Sequence, residues 1–172
     1  LRVERLPLAQ GLEGLPTSER RALTLAGGTL QHGQLAGAIT STGGTISGVT
    51  GTANLTTTAG TTMLTGANGY SGATNINGGT LLGGNANAFS AVSATTVNTV
   101  GTLDLGNFAQ TINALTLAGG TLTTGSLTGA ITSLGGTVKA IGGAVSLTTT
   151  SGTTTFLRAP VATFPALALM KR

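Results

Sequence analysis

Apolar and small polar residues alternate along most of this chain in runs too short for helices. Leu23 and Leu25 flank Thr24, Leu35 and Ile39 flank Gly37 across Ala36 and Ala38, and Leu103 and Leu105 flank Asp104. A period of two sends alternate side chains to opposite sides of a strand, so these runs predict half-buried β-strands. Leu and Ile face inward and Asp104 faces outward. Between the runs a Gly-Thr step recurs: GGTL (27–30), GGTI (43–46), AGTT (59–62), GGTL (78–81), VGTL (100–103), GGTL (119–122), GGTV (135–138) and SGTT (151–154). The successive spacings are 16, 16, 19, 22, 19, 16 and 16 residues. Such a spacing suits one coil of a β-solenoid, with two or three short strands joined by turns. Asn68-Gly69 and Asn77-Gly78 read as turns, since both residue types tolerate positive φ.

A longer period contains the short one. Residues 22–64 and 114–156 align without a gap at an offset of 92, with 27 identities in 43 positions. One long unit is therefore five coils, and the chain holds about one and a half units. The expected fold is all-β, a right-handed parallel β-helix of about eight short coils of 16–22 residues over 22–156. Leu25 and Leu117 are expected at equivalent inward positions five coils apart, as are Ile39 and Ile131. A single coil cannot bury its Leu/Ile side, whereas stacked coils about 4.8 Å apart bury a continuous apolar column.

Composition supports this and removes alternatives. There are 35 Thr and 29 Gly among 172 residues, both poor helix formers, and Thr favours strands. Hydrophobic residues make up 40% and charged residues 7%, the reverse of the disordered signature. Glycines show no period of three, which excludes collagen. The net charge of +4 belongs to the ends, because between Ala22 and Phe156 the only charges are Asp104 and Lys139. A nucleic-acid partner is not expected, since phosphate neutralisation needs many cations on one face. There is no Cys, hence no disulfide or thiolate chemistry. No apolar run reaches the ~18–20 residues of a membrane helix, so this stretch is not expected to span a membrane by itself.

Candidate chemistry is sparse. Polysaccharide-cleaving β-helices use clustered carboxylates, and here 22–156 contains Asp104 alone, read as an outward solvated residue. His32 is the only histidine, and the matching position of the second copy is Thr124, so an exposed turn residue is expected and no metal site. Lys139 aligns with Ser47 and reads the same way. GGTLLGG (78–84) lacks the Lys-Ser/Thr and the helix of a phosphate loop. Tyr70, the only tyrosine, reads as a partly buried aromatic at a turn, with an exposed adhesive contact as its functional alternative. The Thr runs 56–58 and 148–150 suggest a flat threonine array for ice or carbohydrate, but coil lengths varying from 16 to 22 residues predict an uneven lattice. No catalytic, cofactor-binding or metal residue is assigned, no cofactor is expected, and the chain is expected not to be an enzyme.

The segment TGANGYSGATNINGGTLLGGNANAFS (65–90) resembles the autotransporter-associated β-strand repeat of bacterial outer-membrane autotransporter passengers. The resemblance rests on Gly66, Asn68, Tyr70, Gly72, Thr74, Ile76 and Gly79-Thr80-Leu81. It continues at Gly101-Thr102-Leu103-Asp104-Leu105 and Phe108-Ala109-Gln110-Thr111-Ile112. It covers roughly 22–156 and implies a secreted, cell-surface β-helix with a structural or adhesive role. Host or cell-surface ligands are the partners it implies.

The flanks break the pattern. Residues 1–21 are charged and contain Pro7 and Pro16, with no apolar signal-peptide core, and no barrel of long alternating strands follows residue 156. On one reading, 1–21 and 157–172 are the caps that solenoids need; on the other, they are out-of-frame ends of a truncated, non-functional gene remnant. Uncapped ends would leave strand edges open to edge-to-edge self-association.

Overall fold

The computed structural model describes residues 22–157, so the expectations placed on 1–21 and on 158–172 lie outside the described residues. The described chain is all β, without a helix, as a stack of about eight coils. Its strands are β1 (Ala22–Leu35), β2 (Ala38–Gly51), β3 (Asn54–Thr57), β4 (Thr61–Thr65), β5 (Gly69–Tyr70), β6 (Thr74–Ile76) and β7 (Gly79–Gly83). There follow β8 (Ala94–Asn98), β9 (Gly101–Asp104), β10 (Ala109–Ala118), β11 (Thr121–Ser133), β12 (Gly136–Gly142), β13 (Val145–Thr149) and β14 (Thr154–Leu157). They form one 14-stranded sheet wound on itself, and every pairing between strands is parallel.

Each coil contributes one rung to a first face and one to a second. The first face is built from the start of β1, then β2, β3, β6, β8, β10, β11 and β13. The second runs through the later parts of β1 and β2, then β4, β7, β9, β11, β12 and β14. A third face is stranded where β5 meets β2 and where β10 meets β11, and is loop between, over 84–93. The coils nearest 16 residues keep pairing around their corners, so β1, β2 and β11 run on as strands of 13–14 residues. Longer coils put their extra residues into turns, and from β3 to β9 the chain is broken into strands of 2–5 residues.

The 92-residue repeat is a physical period of the first face. Stepping from Leu25 through Ser41, Thr57, Ile76 and Val97 arrives at Leu117, its sequence counterpart. Leu25 and Leu117 are both buried, as are Ile39 and Ile131. The second face differs from the motif phase. The Gly-Thr pattern sets Thr45 opposite Thr61, whereas Thr45 pairs with Met63 and Ile46 with Leu64. This slip of two keeps the inward side inward, which a slip of one would not. It also stacks Ile46 on Leu64 rather than on Thr62. The second copy repeats it, with Val138 opposite Phe156.

Positive-φ backbone recurs at the same offset. Gly51 (φ 93) and Gly143 (φ 101) are counterparts, and a Cβ on either would fall on the carbonyl oxygen of the coil before, Leu35 or Leu127. The backbones cross there with room for hydrogen only. His32 (φ 42) and Thr124 (φ 49) are likewise counterparts. The neighbours they stack on exchange size: a Cβ on Gly48 would lie 2.9 Å from His32 Cδ2, while its counterpart Ala140 stands beside the smaller Thr124. The turns expected at Asn68-Gly69 and Asn77-Gly78 do not use positive φ at Asn; the positive-φ asparagines are Asn87 and Asn107. Asn68 holds its turn with its side-chain amide instead.

Gly51→Ala is expected to cost at least ~2 kcal/mol, from the positive φ and the carbonyl contact together. Gly142→Ala, with no atom near the added Cβ and no positive φ, is expected to be neutral. Urea unfolding midpoints of the two variants against the parent chain test this, and equal effects would contradict the coil crossing.

Candidate functional site

Polar side chains are the natural place to look for chemistry in so apolar an interior. Ser41, Thr57, Thr62, Asn68, Thr74, Ser90, Ser93, Thr95, Gln110 and Ser133 are buried. Among the described residues no buried side-chain N or O atom lacks a hydrogen-bond partner. Burial of an unpaired polar group costs about 1–3 kcal/mol, so their pairing decides whether they strain or specify the core.

The repeated pair is Ser41 with Thr62, hydroxyls 2.7 Å apart, and Ser133 with Thr154 at 2.6 Å. Each links the first face to the second across the coil interior. In each copy the serine oxygen also accepts from the backbone N–H two residues on, Gly43 or Gly135, at 3.3 and 3.2 Å. The sequence signal was available: these serines stand at inward parity, two residues after Ile39 and Ile131.

The third face is held by side chains that substitute for strand pairing. Asn68 Oδ1 accepts from Val49 N at 3.0 Å in the coil before, and Asn68 Nδ2 donates to Ala88 O at 2.8 Å in the coil after. Asn68 Nδ2 also reaches Thr65 O and Gly66 O, both at 3.3 Å, closing its own turn. Gln110 Nε2 donates to Asn85 O at 2.6 Å, and its Oε1 accepts from Ala88 N at 2.9 Å. The loop over 84–93 is thus clamped from both sides.

Tyr70 is 1% exposed, which corrects the reading of a partly buried turn residue and removes the adhesive one. Its hydroxyl lies 3.0 Å from Thr74 Oγ1, which lies 2.8 Å from Ser93 Oγ. Ser93 Oγ spends its one hydrogen on Gly72 O at 2.6 Å. Thr74 must then donate to Ser93, and Tyr70 to Thr74, so the relay has one direction. Burial pushes the phenol up to about 12, against a smaller opposing pull from the hydrogen bond with the Thr74 hydroxyl.

Asp104 faces outward as expected but is half-buried, and its carboxylate has partners. Oδ1 accepts from Gly106 N at 2.8 Å and from Thr124 Oγ1 in the next coil, tying a turn to its neighbour. His32 and Lys139 are exposed, and Lys139 stands two coils beyond Asp104 on the second face. Among the described residues no three His, Cys, Asp or Glu side chains gather where they could hold a metal ion. No described helix is long and apolar enough to cross a membrane.

The outward threonines form ranks across coils rather than along the Thr runs. Thr57, inside the run 56–58, points inward and donates to Gly78 O at 3.1 Å. Thr56 and Thr148 instead belong to a rank on the first face: Thr24, Thr40, Thr56, Asn75, Thr96, Thr116, Thr132, Thr148. Each member is Cα-paired with the next, so the variation in coil length does not make this rank uneven. On the second face Thr61, Thr80, Thr102, Thr121, Thr137 and Thr155 form another unbroken rank.

Fold and interior define a β-solenoid whose buried polar groups are spent on its own construction. Neither the models of protein families, nor the curated proteins, nor the solved structures contained a match to this chain.

Tyr70 makes alkaline stability a test of the burial of its phenol. Its folded pKa of about 12 exceeds the ordinary 10, so the unfolded chain loses this proton first. The contribution is fully present below pH 10 and is lost as pH rises to about 12, roughly 3 kcal/mol in all at about 1.4 per unit. Tyr70→Phe is expected to flatten that decline in thermal unfolding measured from pH 9 to 12, and an unchanged slope would contradict it.

Proposed function

We propose that this chain is a non-catalytic rod segment of a secreted bacterial surface protein, with the structural or adhesive role of an autotransporter passenger. The observation that carries this reading is the unbroken stacking of coils on the first and second faces. Each added coil lengthens the rod by about 4.8 Å, which gives roughly 40 Å over the described span. Length is what such a segment supplies. Among the described residues every buried polar side chain is used in the fold, which supports a scaffold role, as does the absence there of any cluster of His, Asp or Glu side chains.

Two features of the structure suit the resemblance at 65–112. Asn68, Tyr70, Thr74 and Gln110, all from its motif, are the residues that clamp the third face and fill its corner. Phe108, also from the motif, stands out of its turn at 40% exposure, where an adhesive contact is available.

Export tests the reading. The full chain is placed between a bacterial signal sequence and an autotransporter β-barrel, and the cells are treated with protease. The expected result is surface display of a resistant core corresponding to 22–157. Retention of folded chain inside the cell, or rapid degradation of that core at the surface, would overturn it. Phe108→Ser is expected to leave display unchanged and to lower cell adhesion, and unchanged adhesion would remove the adhesive role of this turn.

A further inference from the structure

We propose that the first face is an ice-binding surface, a property beyond the scaffold role above. Its outward rank places one Thr, or once Asn75, on every coil, at the ~4.8 Å step of paired strands. Two residues back along the strands, roughly 7 Å away, runs a parallel rank of small residues. It pairs Ala22 with Ala38 and Asn54, and farther on Ala94 with Ala114, Ala130 and Ser146. The face is therefore regular in two directions and carries nothing bulky on those two ranks. Threonine is β-branched and stiff at χ1, so each rung presents a methyl and a hydroxyl in a restricted orientation.

The chemistry of the occupant follows from what this face has and lacks. Both charges of the described body, Asp104 and Lys139, stand on the second face, so the first offers no charge for an ionic partner. Among the described residues it offers no aromatic ring on which a sugar could stack: Tyr70 and Phe89 are buried, Phe108 lies in a turn, and Phe156 pairs on the second face. The rank extends over seven steps, roughly 34 Å, so a small soluble ligand engages only a few rungs. A neutral lattice with a repeat close to the coil spacing can engage every rung at once, its water oxygens joining the hydroxyls and its ordered cages enclosing the methyls. A crystal face of ice is such a lattice. Unequal coil lengths do not spoil the match, because the extra residues of the long coils lie in turns and leave the pairing of this rank continuous.

The test uses the full chain. Thermal hysteresis and inhibition of ice recrystallisation are measured for the parent chain, for Thr116→Tyr and Thr132→Lys on the first face, and for Thr102→Tyr on the second. Far-UV spectra and thermal unfolding establish that each is folded; Thr132 is the more exposed of the two first-face positions and tolerates change if Thr116→Tyr does not fold. The expected result is activity in the parent, most of it lost in the first-face variants and kept in Thr102→Tyr. A folded parent chain without ice activity overturns the proposal, as does equal loss from both faces. Binding to insoluble cellulose or chitin that Thr132→Lys abolishes, with no effect on ice, would also overturn it and make the face a polysaccharide surface.

Discussion

A coil of this protein cannot bury its own apolar side; only the next coil can. Leu55 and Leu147 are sequence counterparts, yet Leu55 is fully buried and Leu147 is 36% exposed, the difference being whether a further rung lies over it among the described residues. Leu64 and Phe156 repeat the contrast, at 0% and 60%. Burial of a Leu side chain stabilises by about 1.5–3 kcal/mol, and here each such gain depends on parallel pairing with a neighbour. Pairing and burial are thus one event, repeated along the rod, which is why glycine is required where neighbouring backbones nearly touch.

That dependence explains the polar interior. A solenoid with a narrow core has corners that apolar residues do not fill, and strand pairing lapses where coils lengthen. Asn68 and Gln110 replace the missing ladder bonds, and the Tyr70–Thr74–Ser93 relay fills the corner beside them. Asn68, Thr74 and Gln110 each have a partner in an adjacent coil, so these residues specify which coil sits next to which. The Ser–Thr pairs do the same once per long unit.

Outward positions are released from the core and free to carry a surface. The two faces divide that freedom unequally. The second bears both charges and the larger Met63 and Leu82, while the first keeps threonine and alanine in long ranks. Duplication accounts for the similarity of the two ends, and pairing through β6 and β8 keeps the intervening, non-duplicated coils in the same ranks.

By itself the sequence determined the class of fold, the number of coils and the inward parity of Leu25, Ile39, Leu117 and Ile131. Those follow from a period of two, a Gly-Thr step and an offset of 92, all local or additive along the chain. The same parity puts Ser41 and Ser133 inward, a signal that does not reveal their partners. Only the tertiary structure decided the slip that sets Ile46 on Leu64, because register answers to side chains some 18 residues away and a slip of two leaves the pattern unchanged. Only it gave Thr57 its partner, the Gly78 carbonyl of the next coil, and placed Tyr70 fully inside. The evenness of the first face was likewise invisible in the spacings, since length along the chain counts turn residues that pairing between coils ignores.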